Sequence, residues 1–304
     1  MNTSKLKFLG AMSIFGTVGI FVRAIPLSSA GIACFRGFVG CLFLLLFMTV
    51  TRKKLSGGDI RQNLPVLLLS GAAIGTNWIL LFEAYRYTTV ATATVCYYLA
   101  PVFLLIASPL LGEKLTAKKL LCVGVALTGM VCVSGVLKGS LPVLSELTGI
   151  GLGVGAAVLY ATVMLLNKKL KSISAYDKTV IQLGTSATVV LPYLLLTGVG
   201  NLSDMTGQAW LLLAVVGIVH TGIAYTMYFG ALQKLSAQTV ALFCYLDPVI
   251  AILLSALLLQ EPMDPFSILG TVLILGSALY SELPDRKSPS FSGSKSREKI
   301  RKKA

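Results

Sequence analysis

One stretch of this chain occurs twice. Gly75/Gly222, Phe82/Phe229, Ala84/Ala231, Thr92/Thr239, Tyr98/Tyr245, Leu99/Leu246, Pro101/Pro248 and Val102/Val249 are identical at a constant offset of 147 residues. Each copy also divides into five apolar stretches of helix length. If every stretch crosses a bilayer, the odd count makes the second copy enter from the opposite face, which is an inverted-topology repeat.

The residue balance supports a lipid solvent. Charged residues make up 12% of the chain, against roughly 25% in soluble domains, and mean hydropathy is +0.82. Apolar segments of about 17 to 25 residues suffice to span the hydrocarbon core as helices. They are placed at 6–23, 29–50, 64–84, 88–111, 118–137, 148–167, 178–198, 208–231, 236–259 and 266–282. The expected fold class is therefore all-α integral membrane, with ten transmembrane helices as two five-helix inverted-topology repeats. Its divisions are 1–137 (first repeat), 148–283 (second repeat) and a basic, disordered tail at 284–304. The six cysteines fall singly inside apolar segments, so they read as packing residues rather than as a disulfide or zinc framework.

Short loops rich in Lys and Arg stay on the cytoplasmic side. With the N-terminus inside, 22 of the 26 basic residues fall on cytoplasmic loops and the tail, leaving Arg23, Arg86 and Lys138 outside and Arg36 within a helix. Both termini are then cytoplasmic and the chain is a multi-pass protein of the cell membrane. The net charge of +14 is thereby explained by topology, and no nucleic acid partner is expected, since no aromatic platform accompanies the basic residues. Lys5 and Lys7 before an apolar stretch imitate a signal peptide, yet removing segment one would leave the first copy a helix short of the second.

Polar residues at membrane depth are costly and face a cavity or a partner. At 1.5 Å per residue, Asn77, Trp78, Tyr97, Tyr98, Tyr160, His220, Tyr225, Tyr245 and Asp247 all fall near mid-membrane, and Arg36 lies roughly 10 Å below the outer surface. This belt is the expected substrate-binding site, with Arg36 as an anion anchor and Asp247 as a partner for a cationic group or a proton. The structural alternatives are snorkelling for Arg36, an ion pair or a protonated carboxyl for Asp247, and plain packing for the rings. The repeat breaks at its polar points: Asp247 matches Ala100, His220 matches Ala73, and Arg36 falls opposite Gln182 at a nearby offset. Pro101 and Pro248 are kept in both copies and permit kinks, so segments four and nine are expected to be gates. Glu83 and Arg86 form an expected pair at the outer end of segment three, with gating as their functional reading. No phosphate-binding loop, HExxH or paired metal ligands occur, so no metal, cofactor or enzymatic activity is expected.

The motifs Phe82–Thr89 (FEAYRYTT), Tyr98–Pro101 (YLAP) and Leu111–Leu115 (LGEKL), echoed by Phe229–Ser236, Tyr245–Pro248 and Leu259–Met263, resemble the drug/metabolite transporter superfamily in its ten-helix EamA-type branch. The resemblance covers residues 6 to 283. It implies a basket of helices one to four and six to nine around a central cavity, helices five and ten at the periphery, and helix-end roles for Glu113 and Glu261. It also implies relatives that move amino acids, other metabolites, nucleotide sugars or drugs, many outward. The expected function is a secondary transporter exporting an amino-acid-like or drug-like solute by alternating access. The alternatives are a translocator of lipid or lipid-linked sugar and a non-enzymatic membrane sensor. Expected partners are the small-molecule substrate and the surrounding lipids, with protons as a candidate coupling ion and a homodimer as a candidate assembly.

Overall fold

In lipid every backbone polar group must find its partner within the chain, and the chain meets this demand with helices. The computed structural model describes residues 3–87, 93, 96–113, 115–133, 147–258 and 265–282. The expectations for Thr92, Lys114, Lys138, Glu261 and the tail from 284 lie outside those residues. The helices are α1 (Thr3–Arg23), α2 (Ser29–Val50), α3 (Gly57–Tyr87), α4 (Ala100–Ala107, continued by a 3-10 turn at Ser108–Leu111), α5 (Ala117–Val133), α6 (Leu147–Lys169), α7 (Ala175–Thr197), α8 (Gly207–Leu232), α9 (Ala237–Phe243), α10 (Leu246–Leu258) and α11 (Pro265–Glu282). Among the described residues the one extended pairing is an isolated bridge between Leu27 and Gly200, and six helices are long and apolar enough to cross a membrane.

Helix starts are written in hydroxyls. Ser28, Ser174, Thr206 and Ser236 each accept the backbone N–H three residues on, at 3.0, 3.0, 3.2 and 3.1 Å, which satisfies a donor that a helix N-terminus leaves open. Outward, α2 and α7 present Leu42, Leu46, Leu195 and Leu196 uncovered. Uncovered apolar side chains grouped along a helix suit contact with lipid.

Equivalent elements of the two copies pack against each other antiparallel. Along α2 and α7, Gly31 lies at Val199, Gly37 at Ala187, Cys41 at Gly184 and Phe47 stacks on Tyr176 at 5.6 Å, one number rising as the other falls. The remaining contacts obey the same exchange: α3 packs on α6 and α7, α8 packs on α1 and α2, α1 meets α10 as α6 meets α4, and α5 pairs with α11. Such self-complementary pairing is the mark of a two-fold relation, and antiparallel mates are what an inverted repeat requires. Close approach depends on glycine: a Cβ on Gly71 would come within 2.6 Å of Thr185 and 2.8 Å of the Gln182 carbonyl oxygen, the small-residue packing expected where water supplies no driving force.

Lys53, Lys168, Lys171 and Lys178 gather at one end. Lys53 lies over the Tyr176 ring at 4.3 Å, Asn63 exchanges hydrogen bonds with the Lys171 backbone, Lys178 donates to Gln233, and Lys168 meets Glu113 at 3.5 Å. At the opposite end the start of α2 joins the end of α7, where Ser28 donates to the Gly198 carbonyl at 2.8 Å.

The regular helix is interrupted just before each of Pro101 and Pro248, with Leu99 and Cys244 still in the helical region of backbone space. Turns at Tyr98–Leu99 and Cys244–Tyr245 break the chain first, and each proline then sits in the first turn of the next helix, where no N–H is missed.

Candidate functional site

At mid-height the two copies enclose a cavity of about 350 Å³. Eight of the expected belt residues line it: Arg36, Asn77, Trp78, Tyr97, Tyr98, Tyr160, Tyr225 and Asp247. Val22, Ser29 and Leu81, near the ends of α1, α2 and α3 remote from the basic loops, also line it, so it reaches toward that end. On the basic side it is floored by Tyr228 and Phe229. Below them Phe8 packs on Tyr228 and Phe243 at ring distances of 5.2 and 6.5 Å.

Arg36, two turns into α2, is held on two sides. Its Nε donates to Thr221 Oγ1 at 3.1 Å, and its guanidinium carbon lies 4.7 Å from the centre of the Trp78 ring. A cation over an aromatic face gains from the ring quadrupole, more so when shielded from water. Trp78 in turn meets Tyr225 edge-on at 6.3 Å, and Tyr225 meets Phe15 at 5.0 Å. Across the cavity, Tyr97 stacks on Tyr160 with centres 5.3 Å apart and planes 5° from parallel, while its hydroxyl faces Asn77 Oδ1 at 3.5 Å. Asn77 spends its amide on the Ala156 carbonyl at 2.6 Å, which ties α3 to α6. The Asp247 carboxyl, one residue into α10, is hydrogen-bonded by the Tyr98 side chain. The walls are thus aromatic, with a guanidinium from the first copy and a carboxyl from the second.

His220 and Tyr245 do not line the cavity. His220 is buried with Nε2 2.8 Å from Thr17 Oγ1 and its ring against Phe21, so it joins α8 to α1. Tyr245 is fully buried, and its hydroxyl donates at 3.2 Å to the backbone oxygen of Tyr98, its own repeat mate. Gln182, the loose counterpart of Arg36, is buried in a hydrogen-bonded trio with Ser70 and Asn167. Glu83 receives the hydroxyl of Tyr193 on α7; the Arg86 side chain lies outside the described residues. Sequence reasoning left Phe15, Tyr228 and Phe229 out of the belt. The two on α8 carried a usable signal, since Tyr225, Tyr228 and Phe229 stand at i, i+3 and i+4 on one helix face.

Residues 4–135 and 147–281 each match the model of the EamA-like transporter family. The chain belongs to the EamA-like transporter family. It is similar to an uncharacterized transporter YxxF of Bacillus subtilis (strain 168), at 31% identity over 91% of this chain and 89% of that one. It is also similar to an uncharacterized transporter of Archaeoglobus fulgidus, at 27% identity over 88% and 92%. A solved crystal structure shares the fold, with a TM-score of 0.81 at 18% identity over 93% of this chain and 99% of that one. As an EamA-like transporter the chain is a multi-pass membrane protein.

Proposed function

We propose that this EamA-like transporter is a secondary transporter of the cytoplasmic membrane that moves a small amphoteric metabolite outward by alternating access. The observation that carries the proposal is the cavity itself, in which Arg36 on the Trp78 face and Asp247 beside Tyr98 line the same aromatic chamber. A guanidinium offers a planar fork to a carboxylate, and a carboxylate offers acceptors to an ammonium group or a proton. The rings between them supply apolar contact without a fixed shape, which suits metabolite export. With the basic end in the cytoplasm, as the distribution of Lys and Arg favours, the cavity faces outward. The inner side is closed by the rings beneath Tyr228 and by Glu113, whose two carboxylate oxygens accept the Ala237 N–H at 2.8 and 2.7 Å while Lys168 pairs with one of them.

The test is a thermal-shift screen of small carboxylates, amines and amino acids on purified protein. A ligand at a hundredfold excess over Kd stabilises the folded state by about 2.7 kcal/mol. Amphoteric compounds should raise Tm in the wild type and lose that effect in Arg36→Ala. Equal stabilisation of wild type and Arg36→Ala would place the ligand elsewhere.

A further inference from the structure

α8 is not a uniform helix. Between two α-helical stretches, residues Val216–Ile223 form a π-helix, a geometry with one more residue per hydrogen-bonded ring, rare, and frequent at functional sites. The side chains follow that spacing: the Thr221 hydroxyl donates to the Val216 carbonyl, five residues back, at 2.9 Å. With its proton spent there, the Thr221 oxygen is left as an acceptor, and it accepts Arg36 Nε. Among the described residues the guanidinium makes no other hydrogen bond, so its two terminal amino groups are free to meet a ligand in the cavity it lines.

The neighbouring packing is built to bring α2 onto this segment. A Cβ on Gly217 would lie 2.4 Å from Val39 Cγ1, and one on Gly40 would lie 3.0 Å from both the Gly217 oxygen and Thr221 Cγ2. The symmetry-related contact of α3 with α7 has neither the π-helical turn nor the arginine. Its equivalent positions, 69–76, are ordinary α-helix, and the offset of 147 pairs Thr221 with Ile74 and Arg36 with Leu183. The π segment of the second copy and the arginine of the first therefore meet at one interhelical contact, and the symmetry-related contact has neither.

We infer that Thr221, set by the π-helical turn of α8, is the positioning residue that aims Arg36: it fixes Nε from below while Trp78 covers the guanidinium face, leaving the terminal amino groups directed at a carboxylate. This rests on the reading of Arg36 as the anion anchor. The probe is propionate, with propionamide as its uncharged counterpart, added to purified protein carrying Trp210→Phe so that Trp78 is the remaining indole. Propionate, and not propionamide, should change Trp78 emission. Losing one hydrogen bond to a charged group should weaken the propionate response about tenfold in Thr221→Val, Thr221→Ser should stay within about twofold, and Arg36→Ala should abolish it. A Thr221→Val protein that binds propionate like the parent, while Arg36→Ala does not, removes the positioning role and leaves the anchor standing. Equal weakening by Thr221→Ser also removes it, since the hydroxyl is then not the cause. No propionate response in the parent, or the same response to propionamide, overturns the anchor and the positioning role together.

Discussion

At the scale of single residues the candidate site sets a guanidinium and a carboxyl among rings, and the two groups are separable by experiment. Arg36→Lys keeps the charge and loses the planar fork, so transport should fall about tenfold or more while membrane abundance stays near the wild type; full activity would return Arg36 to a snorkelling role. Asp247→Asn keeps shape and removes charge. If Asp247 carries the coupling proton, the variant should lose uptake driven by a pH gradient and keep exchange between compartments of equal pH. If it holds a cationic group of the substrate, both should fail, and wild-type behaviour in both would end either role. Depth was legible in the sequence because helical rise is constant, which is why Arg36, Asn77, Trp78, Tyr160, Tyr225 and Asp247 reach one chamber. Direction was not. His220 stands at the right height, yet the π-helical turn sends it to Thr17 rather than to the cavity, and no local pattern in VGIVHTGI announces that turn.

At the scale of elements, the offset revealed the duplication and the proline positions, and the breaks before those prolines needed the structure. A kinked helix and two half-helices share one hydrophobic pattern. They differ in where the carbonyls of Tyr98 and its neighbours find donors, and here the Tyr245 hydroxyl supplies one. Removing it in Tyr245→Phe should cost about 0.6 kcal/mol, the average for such bonds within membranes, measured as a small drop in Tm with transport retained. The antiparallel register of α2 and α7 has a sharper check. A Cβ at Gly184 would lie 3.6 Å from the Cys41 sulfur, within reach of a disulfide. Mild oxidation of Gly184→Cys should remove two alkylatable thiols, reversibly, relative to the reduced variant; unchanged thiol counts would contradict the register. Glu113 belongs to this scale too. Glu113→Ala deprives the first N–H of α9 of its acceptor and Lys168 of its ion pair, leaving it the Leu235 carbonyl, and should cost about 1 kcal/mol, the typical value of a lost cap.

Across the whole molecule, two antiparallel copies enclose one cavity, and the asymmetric residues sit where the symmetric framework meets. Under the proposed alternating access, an inverted repeat would let the two copies exchange roles as the cavity turned from one face to the other. Reporter fusions at Met1 and Ala304 should both read the cytoplasm, as the basic loops require; an external C-terminus would break the odd count in the second copy. The most direct test of the account is flux. Proteoliposomes holding the wild-type protein, loaded with the amphoteric solute that best stabilises it, should exchange that solute across the bilayer, and vesicles holding Arg36→Ala at equal density should exchange it at the rate of empty liposomes. Stabilisation without exchange in the wild type, or undiminished exchange in Arg36→Ala, would contradict a transporter whose pathway runs through this cavity.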